Sequence, residues 1–236
     1  MEATERFEIK RANERGHAKH GWLESRHSFS FGDYYDPEQM GFRSLRVIND
    51  DRVAPGMGFP KHPHRDMEIF SYVLEGQLAH EDSMGNRRVL KPGEIQMMRA
   101  GSGVTHSEYN PSRVEPAHFL QVWIVPNEKG LEPAYTEWTP EGKSGGKLLV
   151  ISEDGREGSA KIAQDASVFL LKLKPGEQVE HELHQGRGLW LQMACGKGTI
   201  DTKNLEAGDA LFSEAAGIFA FQAGDENVEA ILFDLG

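Results

Sequence analysis

The stretch GMGFPKHPHRDMEIFSYVLEG, residues 56–76, places two histidines ahead of a β-prone run that ends at a glycine turn. Side chains at positions i and i+2 of a strand project from the same face. If this segment is extended, His62 and His64 therefore lie side by side, roughly 7 Å apart at Cα. Pro63 between them lacks a backbone donor, which suits a strand at the edge of a sheet. The pair is either a surface coincidence or half of a metal site.

The composition indicates a globular chain without a membrane segment or a disulfide framework. The 236 residues suffice for one large domain or two compact ones. No apolar run reaches the length needed to span a bilayer, and the charged N-terminus lacks the apolar core of a secretory signal. We therefore expect a cytoplasmic protein. The single cysteine, Cys195, excludes an intrachain disulfide and fits a reducing compartment.

The net charge of −11 argues against nucleic acids and membranes as partners. Both would need a basic face on the protein, and no Lys/Arg cluster stands out in the sequence. We therefore expect no direct nucleic-acid binding and no membrane binding.

From residue 44 onward, short apolar runs alternate with Gly, Pro, Asn and Asp. SLRVIND, EIFSYVLEG, RRVLKPGE, IQMMRAGSG and AHFLQVWIVP are examples. Strands at such short spacing predict an all-β sandwich or barrel. Only the opening segment, residues 11–29, could hold a helical turn. Residues 126–146 are rich in Gly, Pro and charge, which predicts a linker.

Two strand series on either side of this linker resemble each other. FSYVLEG (70–76) aligns with WLQMACG (190–196), and LKPGEIQMMRAG (90–101) aligns with LEAGDALFSEAAG (205–217). A tandem repeat of one β-module is the natural interpretation, and chance similarity between short strands is the alternative. We expect an N-terminal domain of residues 1–135 and a C-terminal domain of residues 136–236.

A second motif changes the interpretation of the two histidines. In AGSGVTHSEYNP (100–111), His106 and Glu108 repeat the i, i+2 relation on another predicted strand. Three imidazoles and a carboxylate suit Fe, Mn, Ni, Co, Cu or Zn and contain too much nitrogen for Mg or Ca. Four protein ligands in an octahedral site leave two positions open, which indicates catalysis. Glu108 could also accept a proton.

These motifs resemble those of the cupin superfamily and, more narrowly, of the pirin family. The resemblance rests on GMGFPKHPHRDME, YVLEG, HEDSMGN, GVTHSEYNP and RANERGHAKHGWLESRHSFSFGDYYDP, and it is closest to bacterial pirins with quercetinase-type activity. It implies a bicupin fold, with two β-barrel or jelly-roll domains in tandem. The position of Glu68 is not a ligand in pirins, which leaves this residue a hydrogen-bonding role. The implied metal ligands, all in the N-terminal domain, are His62, His64, His106 and Glu108.

The resemblance also implies a function, that of a metal-dependent dioxygenase that opens flavonol-type rings. Its partners would be a small aromatic, flavonol-like substrate and dioxygen, its metal most often Fe(II), and Glu108 the acceptor of the substrate's proton. Two alternatives stay open. One is a non-catalytic, metal- or redox-dependent regulator that binds a protein partner, and the other is an enzyme for a different small aromatic substrate.

The C-terminal copy lacks the metal motif. Two alignments of the first motif are open, and each leaves a single imidazole, His184 in one and His181 in the other. Near the second motif, Ala220 and Gln222 stand where the first copy has histidine and glutamate. We expect this domain to be structural and both of its histidines to lie on the surface.

The remaining candidates have more than one interpretation. His80 either supports the metal site or belongs to a tight hairpin. HAKH could place His17 and His20 on one helical face, although packing or hydrogen bonding is the expected role of both, and of His27. Cys195 has no adjacent base, so we expect no nucleophilic role for it. The apolar residues that line either the substrate pocket or the core are Met57, Phe59, Phe70, Met97 and Met98, of which the adjacent methionines face opposite ways.

Overall fold

Strands make up nearly all of the regular structure in the computed structural model of this chain, which describes residues 6–140, 142 and 145–236. These residues form 22 strands and two 3-10 helices, at Ala12–Glu14 and Arg156–Gly158. The all-β prediction is therefore confirmed. No helix in the described part of the chain is long and apolar enough to cross a membrane.

The strands are numbered in chain order. The first twelve are β1 (Glu8–Lys10), β2 (Gly16–Lys19), β3 (Leu23–His27), β4 (Leu45–Val53), β5 (Gly58–His64), β6 (Glu68–Glu75), β7 (Leu78–Asp82), β8 (Arg87–Leu90), β9 (Ile95–Arg99), β10 (Val104–Tyr109), β11 (Ala117–Ile124) and β12 (Ala134–Trp138). The other ten are β13 (Gly146–Ser152), β14 (Ala160–Lys161), β15 (Ala166–Leu173), β16 (Gln178–Leu183), β17 (Gly188–Cys195), β18 (Lys197–Ile200), β19 (Lys203–Glu206), β20 (Ala210–Ser213), β21 (Gly217–Ala223) and β22 (Val228–Leu235).

The chain divides into two compact units, each built from more than one stretch of sequence. The first, which we call the histidine unit, comprises the described residues of 15–141 and 153–164. The second, which we call the leucine unit, comprises those of 1–14, 142–152 and 165–236. Strand β1 thus belongs to the leucine unit although it comes first in the sequence. The domain limits 1–135 and 136–236 stay a prediction.

The histidine unit consists of two antiparallel sheets. The larger has the strand order β12-β9-β6-β11-β4-β3-β2, and the smaller has the order β5-β10-β7-β8. Strand β5 therefore lies at a sheet edge, where the missing backbone donor of Pro63 leaves no ladder partner unsatisfied. Apolar side chains from both sheets, among them Val73 of β6 and Leu78 of β7, pack into a shared core.

The leucine unit repeats this topology. Its larger sheet runs β1-β20-β17-β22-β15-β13, and its smaller sheet runs β16-β21-β18-β19. FSYVLEG lies in β6 and its turn, and WLQMACG lies in β17 and its turn, at the same place in the two strand orders. The predicted tandem repeat of one β-module is therefore confirmed.

One glycine in each unit shows why the repeat is visible in the sequence. Gly76 and Gly196 follow these equivalent strands with φ values of 70° and 78°, in the left-handed region that favours glycine. A Cβ atom would also clash with the carbonyl oxygen of Pro116 in the first case and of Asn227 in the second. The turn thus excludes every other residue at both positions.

The smaller sheet of the leucine unit is apolar where the histidine unit carries its ligand candidates. Phe219 and Phe221 of β21 are buried in the core of the unit, whereas Ala220 and Gln222 are more exposed. The expectation that Ala220 and Gln222 replace the ligand pair is wrong by one residue. Strand alternation brings the two phenylalanines inward instead.

The same alternation corrects one of the two histidines predicted to lie on the surface. His181 is only 6% exposed, and its Nε2 lies 2.9 Å from Oδ2 of Asp234. The surface prediction is therefore wrong for His181. It is confirmed for His184, whose side chain is 70% exposed.

Two further expectations are wrong in part. The predicted linker contains strand β12, which pairs with β9 along its whole length, while residues 141, 143 and 144 of that segment lie outside the described residues. In the opening segment, the helical turn is confined to the 3-10 helix at Ala12–Glu14. HAKH is not helical, because His17 belongs to strand β2 and hydrogen bonds to Glu24 of β3 at 3.1 Å.

Asp50 carries the ion pairs on the outer face of strand β4. One of its oxygens lies 2.7 Å from Nε2 of His118, and the other lies 3.1 Å from a guanidinium nitrogen of Arg15. Burial opposes the charged form, but the bond from His118 and the charge of Arg15 outweigh it and lower the pKa of Asp50 to about 2. The ionised carboxylate therefore stabilises the folded state.

We expect Asp50→Asn to lower the free energy of unfolding by roughly 2–4 kcal/mol at pH 7, because His118 and Arg15 lose a charged partner. A lowered pKa stabilises fully above the ordinary carboxyl pKa and is lost as the pH falls towards 2. The difference between wild type and variant should therefore shrink between pH 4 and pH 2 in urea unfolding curves. Asp33→Asn, which changes an exposed carboxylate of the same unit, should shift unfolding little at any pH.

Candidate metal centre

Two neighbouring strands bring three histidines together. Strands β5 and β10 pair antiparallel, with His62 directly opposite His106, and His64 lies two residues further along β5 on the same face. The three ring centroids are 4.6–4.8 Å apart. The ligating atoms of all three lie within 4.8 Å of one another. The structure thus joins the two sequence motifs into one cluster.

Hydrogen bonds orient two of these rings so that their Nε2 atoms face the cluster. Nδ1 of His62 lies 2.7 Å from the carbonyl oxygen of Pro60, which can only accept, so Nδ1 carries the proton and Nε2 the lone pair. The Nε2 atoms of His62 and His106 are 3.1 Å apart. Such a convergence of imidazole nitrogens is the arrangement that a transition metal requires.

The protonation states suit a cation as well. Burial, together with repulsion from the neighbouring imidazoles, lowers the pKa of His106 to about 2. Burial and His62 lower the pKa of His64 to about 4. Both rings are therefore neutral at physiological pH, which is the form that binds metal ions.

Glu108 lies beside His106, turned towards the larger sheet. The carboxyl group is 1% exposed and accepts two hydrogen bonds of 2.9 Å, from Ser71 to Oε1 and from Gln121 to Oε2. Burial raises its pKa to about 7, opposed by the bond from Ser71. Its ligating atom lies within 4.8 Å of those of His80 and His106. The carboxylate thus borders the cluster, and each oxygen keeps a second lone pair for a cation.

His80 supports the cluster from behind. Its Nε2 lies 3.1 Å from Oδ2 of Asp82, and its Nδ1 lies 2.8 Å from Nε2 of Gln96 and 3.4 Å from Nδ1 of His106. The carboxylate accepts a hydrogen bond from the Nε2–H group of His80, so Nδ1 of His80 is an acceptor that holds the ring of His106 in place. Of the two interpretations of His80, the structure favours support of the metal site.

A row of polar side chains crosses the larger sheet beneath this cluster. Five strands contribute one residue each, and every neighbouring pair in the row is in direct register. The row holds Glu108 through two of its members and His80 through a third. Sequence reasoning missed all but one of these residues, because their only signal is a pairing register that a single strand does not contain. They are His27, Asn49, Gln121, Ser71 and Gln96.

The equivalent row of the leucine unit is entirely apolar. Strand pairing aligns one residue from each of β13, β15, β22, β17 and β20 in the same order. Four of these side chains are buried, and the fifth, Phe169, packs against the core. The two copies therefore share a topology and differ in what their interiors hold. The apolar row is Leu149, Phe169, Leu232, Leu191 and Leu211.

The cluster opens into a cavity of about 510 Å³, which is the size of a small-molecule site. His62, His64 and Glu108 are on its wall, together with residues of strands β2–β4 and of the loop after β3. Of the five apolar pocket candidates from the sequence, only Phe59 lines it; Met97 and Met98 are both buried elsewhere. Its aromatic walls are Phe31, Tyr34, Phe59 and Trp123.

The remaining candidates from the sequence are Glu68 and the three histidines that precede strand β4. Glu68 is fully buried and accepts a 2.9 Å bond from Nε of Arg99, so its hydrogen-bonding interpretation agrees with the structure. His17, His20 and His27 all line the cavity. His27 also bonds to Asn49 at 2.7 Å, as expected for a hydrogen-bonding residue.

Family models match both units. The model described as Pirin matches residues 8–124, and the one described as Quercetinase C-terminal cupin domain matches residues 149–235. Fold and site thus define a cupin with two domains. More narrowly, the chain belongs to the pirin family.

Several relatives are similar over nearly the whole chain. A quercetin 2,3-dioxygenase of Escherichia coli K12 is 47% identical over 230 residues, covering 96% of this chain and 97% of the relative. The crystal structure of YhhW from Escherichia coli superposes with a TM-score of 0.94 at 46% identity, over 98% and 97% of the two chains. A second structure of that bacterial pirin, in complex with nickel(II), has a TM-score of 0.92 over 97% and 98% of the chains, again at 46% identity.

We expect His106→Ala to lose at least tenfold in affinity for Fe(II) and Ni(II), because it removes one of three converging imidazoles. Metal per chain, measured by mass spectrometry of desalted protein after loading, is the readout. His184→Ala, an exposed histidine of the leucine unit, is the matched control and should bind like the wild type. Wild-type affinity in a correctly folded His106→Ala variant would contradict the assignment of the cluster.

Proposed function

We propose that this protein is an iron(II)-dependent dioxygenase that opens the ring of flavonol-type substrates. Its Escherichia coli relative is named quercetin 2,3-dioxygenase. The observation that carries the proposal is the set of three imidazoles converging at the wall of a cavity of about 510 Å³. A closed structural site would bury the metal, whereas this one borders space for an organic molecule.

The proposed ligands are His62, His64, His106 and Glu108, all within the N-terminal domain. The fit rests on the facing Nε2 atoms and on the second lone pair of each oxygen of Glu108. Iron(II), when bound, supplies Lewis-acid activation of the substrate hydroxyl and an electron path to dioxygen. A nickel complex is known for the relative YhhW, so the choice of iron is part of the proposal.

The cavity walls suit a flat aromatic substrate. Four aromatic side chains line it, and the ring of Trp123 meets that of Phe31 edge to face at 5.4 Å. An aromatic ligand gains from such walls by burial and by edge-to-face contacts.

We assign Glu108 the role of proton acceptor from the substrate hydroxyl. Burial brings its pKa to about 7, close to that of an ideal base at physiological pH. The donors Ser71 and Gln121 hold both oxygens, so the carboxylate keeps its direction when the proton arrives. All the residues that we assign to the reaction belong to the histidine unit. We also propose that the protein is cytoplasmic.

We expect the iron-loaded protein to release carbon monoxide from quercetin in air. Glu108→Gln keeps the shape of the side chain without a proton acceptor, so its rate should fall at least 100-fold. His62→Ala should release none, because it lacks a ligand. Headspace gas chromatography measures the product, and His184→Ala is the matched control, expected to keep the wild-type rate.

The absence of carbon monoxide from a protein shown to hold iron would contradict the proposal. In that case a regulatory role, in which metal occupancy controls binding of a protein partner, becomes the better interpretation. Turnover of another phenol with oxygen uptake would keep the enzyme and change its substrate class.

We expect Gln121→Leu to lower kcat about 10–100-fold while the metal stays bound, because Glu108 loses one of its two donors. The comparison of kcat with metal content separates this effect from loss of the metal. Gln222→Leu, an exposed glutamine of the leucine unit, should change neither quantity. An unchanged kcat in Gln121→Leu would show that Ser71 alone suffices to hold the carboxylate.

A further inference from the structure

Four polar side chains form a compact block on the wall of the cavity, away from the metal ligands. Ser25 and His27 of strand β3 stand opposite Asp51 and Asn49 of strand β4 in direct register. All four line the cavity, and each is less than 5% exposed. We call this block the polar quartet. It is costly for the fold, since buried polar groups need partners to offset the loss of water.

One oxygen atom of the quartet lacks a hydrogen-bond partner among the described residues. Oδ1 of Asp51 is buried and has no hydrogen-bond partner within the described part of the chain. Burial raises the pKa of Asp51 to about 7, opposed by a hydrogen bond from Ser25. The next residue, Asp50, faces the other side of the sheet and is fully paired. Of these two adjacent carboxylates, Asp51 is therefore the one that places an unpaired acceptor oxygen at the cavity wall.

His27 offers a second acceptor beside it. Its Nδ1 lies 2.7 Å from Oδ1 of Asn49, an oxygen that only accepts, so Nδ1 carries the proton and Nε2 the lone pair. Burial lowers the pKa of His27, which keeps the ring neutral and Nε2 free to accept. The quartet thus contains two hydrogen-bond acceptors at the cavity wall, and the hydroxyl groups of a ligand are matching donors.

The quartet lies at a defined position relative to the metal ligands. Gln121, which donates to Glu108, stands opposite Asn49 across strands β11 and β4. Asp51 is the next residue on that face of β4, and diagonal neighbours of this kind are about 7–8 Å apart. A ligand with one polar group at the metal centre and a second on another ring can therefore meet both places.

We propose that Asp51, assisted by His27, binds a phenolic hydroxyl of the substrate on a ring remote from the one activated at the metal, and so selects polyhydroxylated substrates. This inference rests on the proposed function and names a specificity residue for it. A carboxyl group pairs with a phenol whether or not it is protonated. A substrate without that hydroxyl leaves the buried oxygen unpaired, which is how polar sites reject analogues.

The experiment compares two flavonols that share the 3-hydroxyl and 4-carbonyl groups and differ in their other hydroxyls. Quercetin carries them, whereas 3-hydroxyflavone keeps the enol and carbonyl groups that would meet the metal. Binding to the iron-loaded protein is measured by titration calorimetry under nitrogen, so the result does not depend on turnover. We expect Asp51→Asn to weaken quercetin binding about tenfold and to leave 3-hydroxyflavone unchanged.

Two further variants make the comparison specific. Asp225→Asn makes the same chemical change at an exposed carboxylate of the leucine unit, and it should alter neither affinity. Asp51→Val removes every polar atom from the position and suits a strand, so it should lose at least as much quercetin affinity as Asp51→Asn. Asp51→Val should also raise the melting temperature of the ligand-free protein, because it removes the unpaired buried oxygen.

Equal weakening of both flavonols, or no weakening of quercetin, in either folded variant would overturn the inference. If neither variant folds, the wild type decides: 3-hydroxyflavone binding as tightly as quercetin overturns it, and a tenfold preference for quercetin supports it. Selective binding without carbon monoxide release would remove the proposed function and leave the quartet as a polyphenol site. If carbon monoxide is released at a rate that changes neither with Asp51 variants nor with the remote hydroxyls, the proposed function stands and the role of Asp51 is overturned.

Discussion

The antiparallel pairing of strands β5 and β10 is the constraint on which the site depends. Its register puts His62 opposite His106, and the edge position of β5 accommodates the proline between the two histidines of the first motif. A shift of β5 by one residue would turn His62 and His64 to the other face of the sheet. The cluster is therefore a property of strand pairing, and the backbone ladder holds it in place.

Comparison of the two units shows that the site requires buried polar side chains where the fold otherwise has apolar ones. They share one topology, yet the row that crosses the larger sheet is polar in the histidine unit and apolar in the leucine unit. A buried polar row is tolerated only when its members bond to one another, as Ser71, Gln121 and Glu108 do. The leucine unit has no such requirement and fills the same space with leucine and phenylalanine.

The two sheets of the histidine unit contribute different groups to the site. The smaller sheet supplies the imidazoles, and the larger sheet supplies the amide and hydroxyl donors that direct the carboxylate. Aromatic side chains from the loop after β3 and from β11 close the wall. Because the two sheets contribute different groups, substrate selection can change at Asp51 without a change at the metal ligands.

Spacing and composition alone predicted the all-β class, the repeat and both ligand motifs, because alternation along a strand and glycine turns are local properties of the chain. The pirin resemblance added the order of the domains and the function. Only the tertiary structure decided which residues face inward, as the burial of His181 and the places of Phe219 and Phe221 show. It alone revealed β12 and the unpaired oxygen of Asp51, and it decided between the two interpretations of His80. Each of these depends on the register between strands distant in sequence, which no single segment encodes.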